Sequence, residues 1–247
     1  MNSFSVIADL SIPVQFHKPQ VNAFGVDVPR ARSLGDTRKG SSVNFDEITF
    51  VPHCHGTHTE CVGHITHERM SVRECLRDVI LPAVLVTVEP ELLAGDRVIS
   101  VLTIKDRLAL TDVRTTDTAT NTALIVRTLP NDESKLSTSY DKNNIPAYFT
   151  TEGMEFIVKF GFKHLLVDMP SIDRLYDEGK LKNHRIFWNV EPGSPETNAN
   201  TRINSTITEL IYVPNEIEDG EYLLNLQIAP FELDAAPSRP ILIKPAE

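Results

Sequence analysis

Eight short runs rich in Val, Ile, Leu and Phe, each bounded by turn-forming residues, recur along the chain: FSVIADLSI (4–12), EITFVPH (47–53), AVLVTV (83–88), TALIVRTL (122–129), KHLLVDM (163–169), TELIYV (208–213), EYLLNLQIAPFEL (221–233) and PILIKP (240–245). Runs this short, with this share of β-branched and aromatic residues, predict strands. Weaker helical periodicity separates them. ERMSVRECLRDV (68–79), TIKDRLALT with Thr103 as an N-cap, TEGMEFIVKFG ending at Gly161, and SIDRLYDEGK (171–180) read as helices. The pattern is an α/β mixture without repeats, low-complexity tracts or a linker, and residues 1–247 read as one domain. Two stretches look irregular, Pro19 to Asn44 and Glu191 to Asn204. Long irregular loops in a compact domain are often functional, which makes both candidate lids.

A chain of 247 residues buries roughly 70–75% of the surface its unfolded form exposes, so packing alone can hold it. The three cysteines are odd in number and read as reduced thiols in a cytoplasmic protein. Net charge is −10 and the 24 Lys and Arg are scattered, which argues against nucleic acid as a partner. The longest apolar run, Val79 to Val88, is interrupted by Pro82 and is far below the roughly 20 residues of a membrane helix. The first residues show no basic leader before an apolar stretch, so a secretory signal is not expected.

Against this background VPHCHGTHTECVGHITH (51–67) stands apart, with five of the eight histidines, two of the three cysteines and a glutamate. If the β-like approach NFDEITFVPH continues extended, side chains alternate and Cys54, Gly56, His58 and Glu60 share one face, with His53, His55 and Thr57 on the other. A bend at Gly63 would bring His64 to the same centre. Thiolate, imidazole and carboxylate are zinc ligands, and Gly56 would let a ligand crowd the backbone. A lone buried histidine is ordinarily a hydrogen-bonded core residue, but this many donors at alternating spacing favour a metal. A nucleophilic Cys54 or Cys61 activated by a neighbouring histidine is the alternative chemistry.

HGTHTECVGH also resembles the signature H-x-G-T-H-x-D-x-P-x-H of the cyclase-type metal-dependent hydrolases, the family of bacterial kynurenine formamidase. IADLSIPV, TALIVRTL, HLLVDMPSID and APSRPILI are similar, in order, to further segments of that family. The resemblance implies a swivelling β/β/α fold, a homodimer or larger homo-oligomer, and one or two Zn or Mn ions. It implies metal-dependent hydrolysis of a small amide or lactone, with a non-catalytic metal- or small-molecule-binding role as the alternative. Gly56, Thr57, His58 and His64 coincide with the motif. Glu60 stands in place of its Asp, Val62 in place of its Pro, and Cys54 in place of its first His; a thiolate there would favour Zn over Mn. His53 is the rival for that position, disfavoured by strand parity unless a bulge intervenes. The resemblance further implies a later His, matched by His184, and a late Glu, for which Glu191, Glu196 and Glu209 compete. The apolar context of Glu209 selects it. The implied ligands are therefore Cys54, His58, Glu60, His64, His184 and Glu209, with His64 or Glu209 moving protons. Trp188, the single tryptophan, lines the pocket or belongs to the core.

Overall fold

The structure, a computed structural model, describes residues 4–111 and 122–245. Nine strands form one sheet: β1 (Phe4–Asp9), β2 (His58–Glu60), β3 (Ile80–Val88), β4 (Ala123–Thr128), β5 (His164–Val167), β6 (Thr206–Glu209), β7 (Gly220–Asn225), β8 (Ala235–Pro237) and β9 (Ile241–Pro245). Their order is β1-β9-β7-β3-β4-β5-β6-β2-β8. The inner strands β3, β4, β5 and β6 run parallel, and the outer pairings are antiparallel.

The continuous apolar runs of β3, β4 and β5 follow from burial of both faces, the usual condition of parallel strands. Leu124 and Val126 face one cluster, together with Ile104, Met154, Ile157, Phe187 and Trp188. Ala123, Ile125 and Leu166 face the other, where Leu10, Leu224 and Leu242 meet them. The partners in this second cluster come from the outer strands and their flanks, so the sheet curls over its own inner face. The fold is mixed α/β, with the helices outside.

Among the described residues four α-helices accompany the sheet: α1 (Val72–Cys75), α2 (Val101–Leu110), α3 (Thr151–Phe160) and α4 (Lys182–Trp188). α3 lies where its periodicity placed it, capped by Thr150 and ended by Gly161 in the left-handed region at φ 102. The cap of α2 is Ser100, three residues ahead of the expected Thr103, and its side chain accepts the Thr103 N–H. Only one turn of the expected 68–79 helix forms, since the chain leaves α1 extended at Leu76 to enter β3. Residues 171–180 are not helical: Tyr176, Glu178, Gly179 and Leu181 all have positive φ. The helix comes just afterwards, as α4, because Asp173 accepts the N–H groups of Asn183 and His184 at its start. Within the irregular stretch before residue 44 lies half of a hairpin, Arg30–Gly35 paired with Phe45–Thr49. Among the described residues no helix is long and apolar enough to cross a membrane.

Candidate metal centre

The histidine-rich segment does not run extended. A 3-10 turn over Pro52–Cys54 is followed by Gly56 at φ 107, and only then does β2 begin. Strand parity therefore fails before Gly56, and His53 rather than Cys54 turns towards the histidines and carboxylates. A Cβ on Gly56 would sit 2.7 Å from the Ile12 carbonyl oxygen, so the glycine serves a backbone crossing and not the approach of a ligand. Thr57 locks that crossing: its N–H donates to the Ile12 carbonyl at 3.0 Å, its hydroxyl oxygen accepts the Ile12 N–H at 2.7 Å, and its O–H donates to the Leu210 carbonyl.

β2 lies one strand from the edge of the sheet, between β6 and β8. Its register sets His58 beside Glu209. His58 Nδ1 is 3.2 Å from the Gly56 carbonyl, which can only accept, so Nδ1 carries the hydrogen and Nε2 faces Glu209 Oε2 at 3.5 Å. Glu60 Oε1 lies 3.1 Å from His184 Nε2, and its Oε2 lies 3.4 Å from His53 Nε2 and 3.9 Å from His64 Nε2. The Asp173 carboxylate takes His184 Nδ1 at 2.7 Å, and the Asp234 carboxylate takes His64 Nδ1 at 3.2 Å. His58, His64 and His184 thus each hold Nδ1 on an oxygen and present Nε2 inward, the arrangement by which outer carboxylates and carbonyls orient metal-binding imidazoles. His53 stacks on His64 with ring centroids 4.5 Å apart. Glu209 accepts the Ile172 N–H at 3.0 Å.

Five of the six expected ligands, His58, Glu60, His64, His184 and Glu209, come together with His53 and Asp234. They form three overlapping groups whose donor atoms lie within 4.8 Å of one another: His53, His64 and Asp234; Glu60, His64 and His184; and His58, Glu60 and Glu209. Cys54 is in none of them. Burial, with the charge of Glu209, pushes its thiol up to about 11. Cys61 is also raised, by its contact with Cys75 and by burial, and donates to the Met70 carbonyl at 3.3 Å, so neither thiol is an activated nucleophile. Glu191 and Glu196 are exposed, outside the cluster. Trp188 is wholly buried, its ring centroid 5.6 Å from that of His184 and its indole N–H on the Ser205 carbonyl, so it underlies the site and does not line it. His55 is structural as well: its Nδ1 accepts the Val51 N–H, and burial lowers its pKa.

Two adjacent buried carboxylates cannot share one ionisation state cheaply. Burial raises Glu60, but the surrounding His64, His184 and His53 outweigh it and bring the carboxyl down to about 2. Glu209, pushed by burial and then by the charge of Glu60, rises to about 8. Burial works against a charged His184, yet Asp173 and Glu60 hold its pKa well above 6.5, whereas burial lowers that of His58. His53 and His64 hold Asp234 far below the ordinary carboxylate range. A divalent cation suits these donors. The buried atoms His58 Nε2 and Glu60 Oε2 face the cluster without a hydrogen-bond partner, His53 Nε2 lies 3.1 Å from Asp234 Oδ2, and a buried anion such as Glu60 needs a counter-charge. The oxygen and imidazole donors suit zinc and manganese alike, so the preference for zinc that rested on Cys54 lapses.

A curled, mixed α/β sheet that gathers imidazoles and carboxylates at the end of one strand defines the class: an α/β protein with a buried histidine–carboxylate centre. The chain belongs to the Cyclase family, whose model matches residues 8–174. That match takes in the segment from His53 to His64 and Asp173, but His184, Glu209 and Asp234 lie beyond it. The fold is shared with a potential metal-dependent hydrolase with cyclase activity (16% identity, TM-score 0.65, 99% of this chain and 100% of that one). It is also shared with an isatin hydrolase bound to the product analogue thioisatinate (12%, 0.65, 98% and 93%) and with isatin hydrolase A from Labrenzia aggregata bound to benzyl benzoate (11%, 0.64, 98% and 94%). At these identities the likeness is one of fold. No curated protein sequence matches the chain.

Proposed function

We propose that the protein is a metal-dependent hydrolase of a small amide or lactone, with an aryl formamide or a cyclic amide as the substrate class. The observation that carries the reading is the convergence of His58 Nε2 and Glu60 Oε2, buried and without hydrogen-bond partners, with His53 Nε2, which lies 3.1 Å from Asp234 Oδ2. The family, and solved relatives of the same fold that are hydrolases, support it. His53, His58, Glu60, His64, His184 and Glu209 would hold one or two ions, zinc or manganese. Such an ion, when bound, supplies Lewis acidity that polarises a carbonyl oxygen and acidifies water. Asp173 fixes His184 and the Gly56 carbonyl fixes His58, so their inward nitrogens need no reorganisation.

Proton transfer falls to His64 or Glu209. The imidazole of His64 is 30% exposed while that of His58 is fully buried, and its Nδ1 is anchored on Asp234, so its Nε2 can take a proton and return it to a leaving group when it is not engaged by an ion. The test is a screen of purified, metal-supplemented protein against N-formylkynurenine, simple aryl formamides, lactones and cyclic imides. Turnover that vanishes with chelator and returns with Zn or Mn is expected. Full activity in metal-free protein would reject the mechanism, and metal binding without turnover of any of these would assign a binding role.

A further inference from the structure

The outer surfaces of α3 and α4, with the turn at residues 179–180 and the segment 189–193, enclose a groove of about 820 Å³, within the range of small-molecule sites. It lies on the side of α4 away from His184. Val158 and Ile186 on its floor are half-buried and pack on the core beneath, and Val190 is buried beside them. The rim is charged. Among the described residues Lys159 and Lys182 are exposed and form no ion pair, and the Arg185 guanidinium donates to the carbonyls of Lys180, Glu191 and Ser194. Lys180 also lines the groove but is neutralised by Glu178 at 2.6 Å. Glu155 and Glu191 are its two carboxylates. With Lys180 neutralised, three cations against two carboxylates leave the lining a small positive balance in a chain whose net charge is −10.

We propose that this groove binds a free amphiphilic anion, a carboxylate with an apolar body, separately from the metal centre. Burying the body on Val158, Ile186 and Val190 supplies the apolar gain. The head group meets Lys159, Lys182 and Arg185, where a charge-assisted hydrogen bond needs no carboxylate to be displaced. A cationic or neutral amphiphile gains only the first term, so charge sets the ligand class. The inference does not depend on which reaction the metal centre performs.

The test uses the full-length, metal-loaded protein and the fluorescent anion anilinonaphthalene sulfonate. Saturable binding of one dye per chain is expected, displaced by decanoate and not by decylamine. Lys159→Glu with Lys182→Glu, both at exposed positions, should weaken dye and decanoate at least tenfold while the melting temperature stays unchanged. Equal displacement by decylamine, or undiminished binding in the double variant, would overturn the proposal. A change in oligomeric state in that variant, with dye binding intact, would assign the groove to a second copy of the chain and overturn it too.

Discussion

Glu209 is a carboxyl that the fold keeps protonated in the absence of metal, and this gives stability a sign with pH. Its ordinary pKa of 4.5 rises to about 8 on folding, so between those values the folded chain holds a proton that the unfolded chain has released. Stability must then fall as pH rises through that window. His184 acts in the same direction: its contribution is fully present below 6.5 and is lost as pH rises through its raised value. His58, kept neutral by burial, opposes this only below its ordinary 6.5, and Glu60, at about 2, is ionised in both states. Metal-free protein should therefore lose stability between about pH 6.5 and 8, at up to about 1.4 kcal/mol per pH unit for each group. Glu209→Gln should flatten the slope in urea titrations repeated across that range; a stability that rises there would contradict the assignment. A second prediction concerns His53 and Cys54. Because only His53 reaches the cluster, His53→Ala should weaken zinc or manganese binding tenfold or more, while Cys54→Ala should leave it within a small factor, as read by competition with a chromogenic chelator. Asp173→Asn, which loosens the Nδ1 anchor of His184, should cost about 10–100-fold in affinity.

At the scale of elements, one turn decides the geometry of the centre. The 3-10 turn at Pro52–Cys54 and the left-handed Gly56 rotate the chain before β2, and the Ile12 carbonyl fills the space where a side chain would stand. Gly56→Ala should cost about 2–3 kcal/mol in denaturant unfolding, with loss of metal binding exceeding what the stability change explains, because the crossing fixes β2. The turn also marks where sequence reading stopped short. All eight β-rich runs contain or adjoin strands because apolar residues buried on both faces leave a strong local signal. His58, Glu60, His64, His184 and Glu209 were legible through motif spacing and a family resemblance. Cys54 falls outside the gathered donors, because parity presumes an unbroken strand and the 3-10 turn at Pro52–Cys54 breaks it. Asp173 and Asp234 were missed as partners of His184 and His64, since their roles depend on contacts 11 and 170 residues apart, which spacing does not encode. α4 was hidden for a related reason: its start is set by Asp173, nine residues upstream of Lys182, and not by a local cap.

For the molecule as a whole, an ion bound only by the folded state must raise its stability by mass action. At a free concentration 100 times Kd the gain is about 2.7 kcal/mol. In a chain of this size that shifts the melting temperature by roughly 5–10 °C. Zinc or manganese should produce such a shift in calorimetry, and His58→Ala should abolish it. An unchanged melting temperature at saturating metal would show that the cluster binds no ion in the folded state.

The pairing of β2 with β6 joins points far apart along the chain: the hydroxyls of Thr59 and Thr208 meet at 2.8 Å across a separation of 149 positions. Closing a loop of that length is entropically costly and belongs late on a folding route. His58 and Glu60 cannot meet Glu209 before that closure, and His64 cannot meet Asp234 before β8 is laid beside β2. An ion bound there would therefore act as a latch and not as a template. Refolding rates should be the same with and without it, while unfolding of the loaded protein should be slower by the whole of its stabilisation.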